Sequence, residues 1–138
     1  MPLRWQILHE KKLVHVVADG RVTLQNLEDH LDALAVANVL QYAKLFDATA
    51  LDPVYGDQDV MAMGARLSAY TASLKSGPLA FIGLSEKACD AFRRFVNVTP
   101  SKRPARLFKT EAEARSWLAE VADQIADQRT EPFHTAHG

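Results

Sequence analysis

The sequence predicts an α/β domain built on a mixed, mostly parallel sheet, and three observations carry that expectation. From residue 24 onward, short apolar runs alternate with amphipathic stretches of helical period. Ahead of them, two apolar runs stand with only a polar turn between, the pattern of a hairpin. Finally, 138 residues with 48% hydrophobic content supply one core and are too few for two.

Trp5 and Ile7 alternate with polar residues, and Leu13-Val14-His15-Val16-Val17 follows the polar His9-Glu10-Lys11-Lys12. This predicts two strands joined by a tight turn, the second closed by Asp19-Gly20. Thr23 is placed as an N-cap before Leu24, Leu27, Leu31 and Leu34, whose three- and four-residue steps predict a helix ending near Asn38. Tyr42 to Phe46 predicts a third strand, which feeds an acidic loop from Asp47 to Asp59 containing Pro53 and Gly56. Val60, Met63, Leu67, Tyr70 and Leu74 form the next helical stripe, stopped by Gly77-Pro78.

Leu79 to Leu84 is a continuous apolar run containing Gly83, which suits a central strand covered on both faces. Ser85 caps a third helix carrying Ala88, Phe92, Phe95 and Val96, and Pro100 and Pro104 bracket a loop before the strand Ala105 to Phe108. Thr110 and Glu113 form a capping box for a last helix with Ala114, Trp117, Val121 and Ile125 on one face. The order is β-β-α-β-α-β-α-β-α within a single domain over residues 1–128, and residues 129–138 predict a disordered tail. Right-handed crossovers imply parallel pairing after the hairpin, with the helices gathered mainly on the face that takes the Leu24, Val60 and Trp117 stripes.

Sixteen Lys and Arg against seventeen Asp and Glu leave a net charge of -1, which removes the global electrostatic argument for nucleic acid or an anionic membrane as partner. The lone Cys89 excludes an internal disulfide, and the chain shows no signal-like or membrane-spanning apolar run, so a cytoplasmic protein with no membrane span is expected.

Catalytic patterns are missing. Gly20, Gly56, Gly64, Gly77, Gly83 and Gly138 have no phosphate-binding spacing. His9-Glu10 lacks the second histidine of a zinc-protease helix, since Leu13 stands there. Ser85 follows a strand and opens a helix but has Leu84 and Glu86 beside it instead of glycines, so it reads as a cap and not as a nucleophile. His134 and His137 lie beside Pro132 in the tail and are not assigned a metal. His15 reads as a satisfied core or edge residue, His30 as a surface residue and Cys89 as a packing residue. The expectation is a non-enzymatic protein with no catalytic residues, metal or cofactor.

Two patches stand out. Between Asp47 and Asp59 there are four aspartates and no cation, at the carboxyl end of a parallel strand, where ligand sites of open α/β sheets lie. The plainer account is that Asp57 and Asp59 favour the amino end of the following helix. The second patch contains Arg93, Arg94, Lys102, Arg103, Arg106 and Lys109 and no acid. Its neighbours Phe92, Phe95 and Phe108 fall on core faces, which leaves no stacking platform for nucleic acid and favours a solvated or protein-facing basic surface.

Several short segments together resemble a known group. Trp5-x-Ile7, Asp19-Gly20-x-Val22-Thr23, Lys44-Leu45-Phe46-Asp47, Gly77-Pro78-Leu79-Ala80, Arg106-Leu107-Phe108 and Glu113-Ala114-Arg115-x-Trp117-Leu118 look like the bacterial SpoIIAA-like proteins over residues 5 to 120. That group is related to STAS domains, the anti-sigma-factor antagonists, and shares a fold with CRAL-TRIO lipid-binding domains. The resemblance implies helices mainly on one face of the sheet and a role in binding partners. In phosphorylatable STAS domains a strand ending in Asp is followed about ten residues later by a phosphorylated serine at a helix start. Asp47 matches the strand end, but Asp57 stands at the serine position, so the phosphoserine switch is absent. Thr49 and Tyr55 are the hydroxyls of this stretch.

The leading expectation is therefore an interaction module resembling anti-sigma-factor antagonists, meeting an unknown protein partner through Asp47, Thr49, Tyr55, Asp57 and Asp59. The alternative is a carrier of a small apolar molecule or lipid, with its pocket under the second helix near Met61, Met63 and Leu67. A homodimer is expected, because helices on one face leave apolar sheet surface for a symmetric mate.

Overall fold

The computed structural model of the chain describes residues 2–54, 56–70, 77–98 and 104–122. Five strands form one sheet: β1 (Leu3–Leu8), β2 (Leu13–Val22), β3 (Ala43–Pro53), β4 (Leu79–Ile82) and β5 (Ala105–Phe108). Between them run α1 (Leu24–Val36), α2 (Asp57–Tyr70) and α3 (Glu86–Val98), and a last helix, α4, covers residues 111–122. The strands lie side by side in chain order; β1 pairs antiparallel with β2 and every later pair is parallel. The mixed sheet and the order of elements are those the sequence predicts. Leu74, Pro100, Ile125 and the tail 129–138 lie outside the described residues.

Each element has a local cause. The β1–β2 turn closes with Lys12 at φ 50°, and Lys11 N–H and Lys12 N–H donate to the Leu8 and His9 carbonyls. Thr23 caps α1: Asn26 N–H donates to Thr23 Oγ1 at 3.2 Å while Thr23 N–H donates to Asn26 Oδ1 at 2.8 Å. Thr23→Ala is expected to cost about 1 kcal/mol in chemical denaturation, and Thr23→Ser to restore most of it. The α1 C-terminus ends with Asn38 at φ 60°, a left-handed residue of the kind that stops helices.

The helices α1, α2 and α3 connect consecutive parallel strands in one direction, so right-handed crossovers put all three on the same face. Under them lies the larger core cluster, with Val14, Val16, Val22, Leu34, Ala48, Met63 and Phe81. The Trp117 stripe does not join them. Because α4 follows the last strand and is not a crossover, it is free to fold onto the opposite face, where Leu13, Leu45, Ala80, Ile82 and Phe108 need cover from Ala114, Trp117 and Leu118.

Two other elements differ from the sequence expectation. The stretch assigned to an acidic loop continues as strand: β3 runs on to Pro53 against a β2 that runs on to Val22. A register shift between Val17 and Asp19 allows it, bringing Gly20 (φ 92°) opposite Leu51 and Val22 opposite Pro53. On α3, Val96 is exposed, and Ala88 and Ala91 with Phe92 and Phe95 supply the inward face. No described helix is long and apolar enough to cross a membrane.

Candidate functional site

The acidic stretch is occupied with its own structure. Asp47 stands level with Ile82, the last residue of β4, but lies inside β3, which continues six residues beyond it to Pro53. Its Oδ1 accepts from Thr49 N–H at 3.1 Å and from Thr49 Oγ1 at 2.7 Å, a local turn that uses both residues. Asp59 Oδ2 accepts from Gly56 N–H at 3.0 Å at the start of α2, and Asp52 lies 3.6 Å from Lys87 Nζ. Asp57 is the first residue of α2, ten positions after Asp47, but its side chain and all of Tyr55 lie outside the described residues.

Of the basic patch, Arg93 and Arg94 are exposed on α3, with Arg93 3.5 Å from Asp90; Lys102 and Arg103 lie outside the described residues. Arg106 rests over the Phe108 ring, 5.4 Å from its centroid. Cys89 is a half-buried free thiol. His15 is half-buried on the α4 face with Nε2 3.9 Å from Glu111, and that nitrogen has no hydrogen bond, so it is not the satisfied histidine expected. Among the described residues, no three His, Cys, Asp or Glu side chains converge as metal ligands would.

What the fold does build is a cavity of about 110 Å³ between the sheet and its three covering helices. Leu27, Leu31 and Leu34 come from α1, Phe46 and Leu51 from β3, Met63 from α2, Phe81 from β4, and Ala91, Phe92 and Phe95 from α3. The aromatic wall is ordered: Phe46 and Phe81 stack with centroids 5.2 Å apart and planes 8° apart, and Phe81 meets Phe92 at 5.2 Å with a tilt of 42°.

Two polar side chains share this lining, His30 from α1 and Lys44 from β3. His30 is buried at 8% exposure, which corrects its assignment to the surface. Its ring meets Trp5 edge-on at a centroid distance of 4.6 Å, and its Nδ1 has no hydrogen-bond partner. Burial first, and then the positive charge of Lys44, lower its pKa from 6.5 to about 4, so the imidazole is neutral at pH 7. Lys44 is 5% exposed and its Nζ donates to the Leu40 carbonyl, which also accepts from Gly77 N–H at 3.0 Å. Burying an ammonium costs several kcal/mol unless its surroundings compensate, so this placement is expensive and specific.

Sequence reasoning singled out neither residue as a site, although a signal existed for both. His30 lies three residues after Leu27 and four before Leu34, inside the apolar stripe of α1. Lys44 has the parity of Phe46 along β3, which turns it to the helix-covered face. The pocket expected near Met61, Met63 and Leu67 is met in part: Met63 lines the cavity, Met61 is exposed, and the Leu67 side chain lies outside the described residues. Met61 points away because it is two residues from Met63 on a helix, on the opposite side.

No protein-family model matches the chain, and no curated protein matches its sequence. Solved structures do. An uncharacterised protein of the DUF3478 family with a SpoIIAA-like fold, from Shewanella loihica PV-4, superposes with a TM-score of 0.56 at 20% identity, over 84% of this chain and 91% of that one. The anti-sigma factor antagonist SpoIIAA in its unphosphorylated form superposes with a TM-score of 0.52 at 9% identity, over 85% of this chain and 97% of that one. The chain therefore has the SpoIIAA-like fold.

Proposed function

We propose that this SpoIIAA-like domain is a non-enzymatic binding module that holds a small apolar molecule in the cavity beneath α1, α2 and α3. The observation that carries the reading is the cavity itself, about 110 Å³ of space walled by aliphatic and aromatic side chains. Protein interiors are otherwise close-packed, and an apolar cavity of about 150 Å³ is known to stay dry and to admit benzene. Binding is favoured over catalysis because the sequence holds no nucleophile, metal or phosphate-binding pattern. Native mass spectrometry of the protein from its host is expected to show an added mass that departs on denaturation. Adduct-free protein whose melting temperature is also unmoved by millimolar apolar probes would reject the reading.

The likeness to an anti-sigma factor antagonist favours a second reading. In it the chain is a regulatory module that meets a protein partner at the carboxyl end of β3, with Asp47, Thr49, Tyr55, Asp57 and Asp59 as the contact surface. The start of α2 at Asp57 supports it, since the first residue of a helix is a position that favours acidic groups, phosphoserine among them. Asp57→Ser is then expected to weaken capture of the partner and Asp57→Glu to preserve it; equal capture by wild type and Asp57→Ser refutes the phosphomimic role. The homodimer expected from an open sheet face would have to form without the surface that α4 covers, and sedimentation at several concentrations tests for it.

A further inference from the structure

We propose that the molecule this cavity accepts is a hydrophobic monocarboxylate, its apolar body against the phenylalanine wall and its carboxylate at the end of the cavity formed by Lys44 and His30. The inference rests on the ligand-binding reading above and adds the chemical class of the ligand.

Three features of the lining lead there. First, His30 is more than nine-tenths buried and its Nδ1 has no hydrogen-bond partner. Buried polar atoms in folded proteins are nearly always paired, so an orphan in a cavity wall marks a position where a bound molecule completes the bonding. Second, the ammonium of Lys44 lines the same cavity at 5% exposure, and its positive charge acts on His30. A ligand group received beside a buried cation gains most if it is anionic, because the low local dielectric strengthens the attraction. Third, the rest of the lining is apolar, with Phe46, Phe81 and Phe92 in ordered contact. Two polar side chains that feel each other's charge in an otherwise apolar lining fit a molecule with a single headgroup.

The carboxylate suits this end better than the alternatives. An amine would meet Lys44 as a like charge. An alcohol could hydrogen-bond to His30 but would bring no charge to the ammonium. A carboxylate accepts from Lys44 Nζ with one oxygen and, with its second oxygen, takes a hydrogen bond from the imidazole in the tautomer that carries its proton on Nδ1.

The experiment compares octanoate, octanol and octylamine by calorimetric titration at pH 7, with the His30 ring resonances followed by NMR to locate binding. Octanoate is expected to bind at least tenfold more tightly than octanol, to move the His30 resonances, and to outcompete octylamine entirely. In Lys44→Met, of similar length and without the charge, octanoate should lose its advantage while octanol is retained. Should that variant fail to fold, the selectivity of the wild-type protein and the His30 shifts decide alone. Octanol binding as tightly as octanoate, with His30 shifts for both, overturns the carboxylate assignment and leaves the apolar-ligand reading standing. No binding by any of the three overturns both.

Discussion

Gly77→Ala is expected to lower stability by about 3 kcal/mol or more, read as a fall of about 10 °C or more in melting temperature. A Cβ at this position would overlap the backbone carbonyls of Gln41 and Tyr42 and stand 2.6 Å from the Tyr42 carbonyl carbon. A side chain could swing aside, but these atoms are backbone, and both segments are tied. Gly77 N–H donates to Leu40 at 3.0 Å, Tyr42 N–H to Val39 at 3.0 Å, and Lys44 N–H to Pro78 at 2.8 Å. Relief would therefore break ladder bonds at the start of β3 and disturb the Leu40 carbonyl that receives Lys44 Nζ. Gly56→Ala is the matched control: nothing lies within 4 Å of its added Cβ, so its effect should stay within about 1 kcal/mol. Equal melting of Gly77→Ala and wild type would show that the 39–42 segment yields without cost.

The second large effect is a dependence on pH. His30 titrates at about 4 in the folded protein against 6.5 for the free side chain. Above pH 6.5 the imidazole is neutral in both states and contributes no slope. As pH falls from 6.5 toward 4 the unfolded chain takes up a proton that the folded chain refuses, so stability is lost through that window and levels off below it. The full loss is about 3 kcal/mol. Lys44, which lines the same cavity, and the Trp5 ring, edge-on to the imidazole, frame this titration. His30→Gln removes the titrating group while keeping a polar side chain, so urea unfolding at pH 7 and pH 4.5 should show a smaller loss for the variant than for wild type. Parallel losses in the two proteins would refute the assignment.

The sheet was legible because its signals are local. The hairpin, the Leu24–Leu34 stripe and the apolar run at Leu79 each state their structure within a few residues. The limits of β3 were not, because what keeps Ala50 to Pro53 in a strand is pairing with a distant segment, Asp19 to Val22, reached after β3 spends one residue more than β2 between Asp47 and Ala50. Nor could periodicity say which face α4 covers, since a stripe shows that a helix buries one side and not against which side of a sheet. The acidic cluster drew attention by composition, yet its described carboxylates bond to nearby groups of the chain itself. His30 and Lys44 are the opposite case. Single polar letters within apolar patterns look like surface residues until packing shows that their positions face inward.

Because the strands lie in chain order across the sheet, each one that leaves the ribosome finds its neighbour already emerged, and no later segment has to wedge between two earlier ones. Growth proceeds at a single advancing edge: a hairpin first, then one strand at a time, each joined by a span of roughly one helix. Such spans keep the entropy of every closure below that of joining the ends of the chain. The advancing edge is also a template. A nascent chain stalled after α3 exposes the flank of β4 that β5 should fill, and the β5 of a finished neighbour has the same register to offer. Strand exchange between copies is thus the misassembly this topology invites.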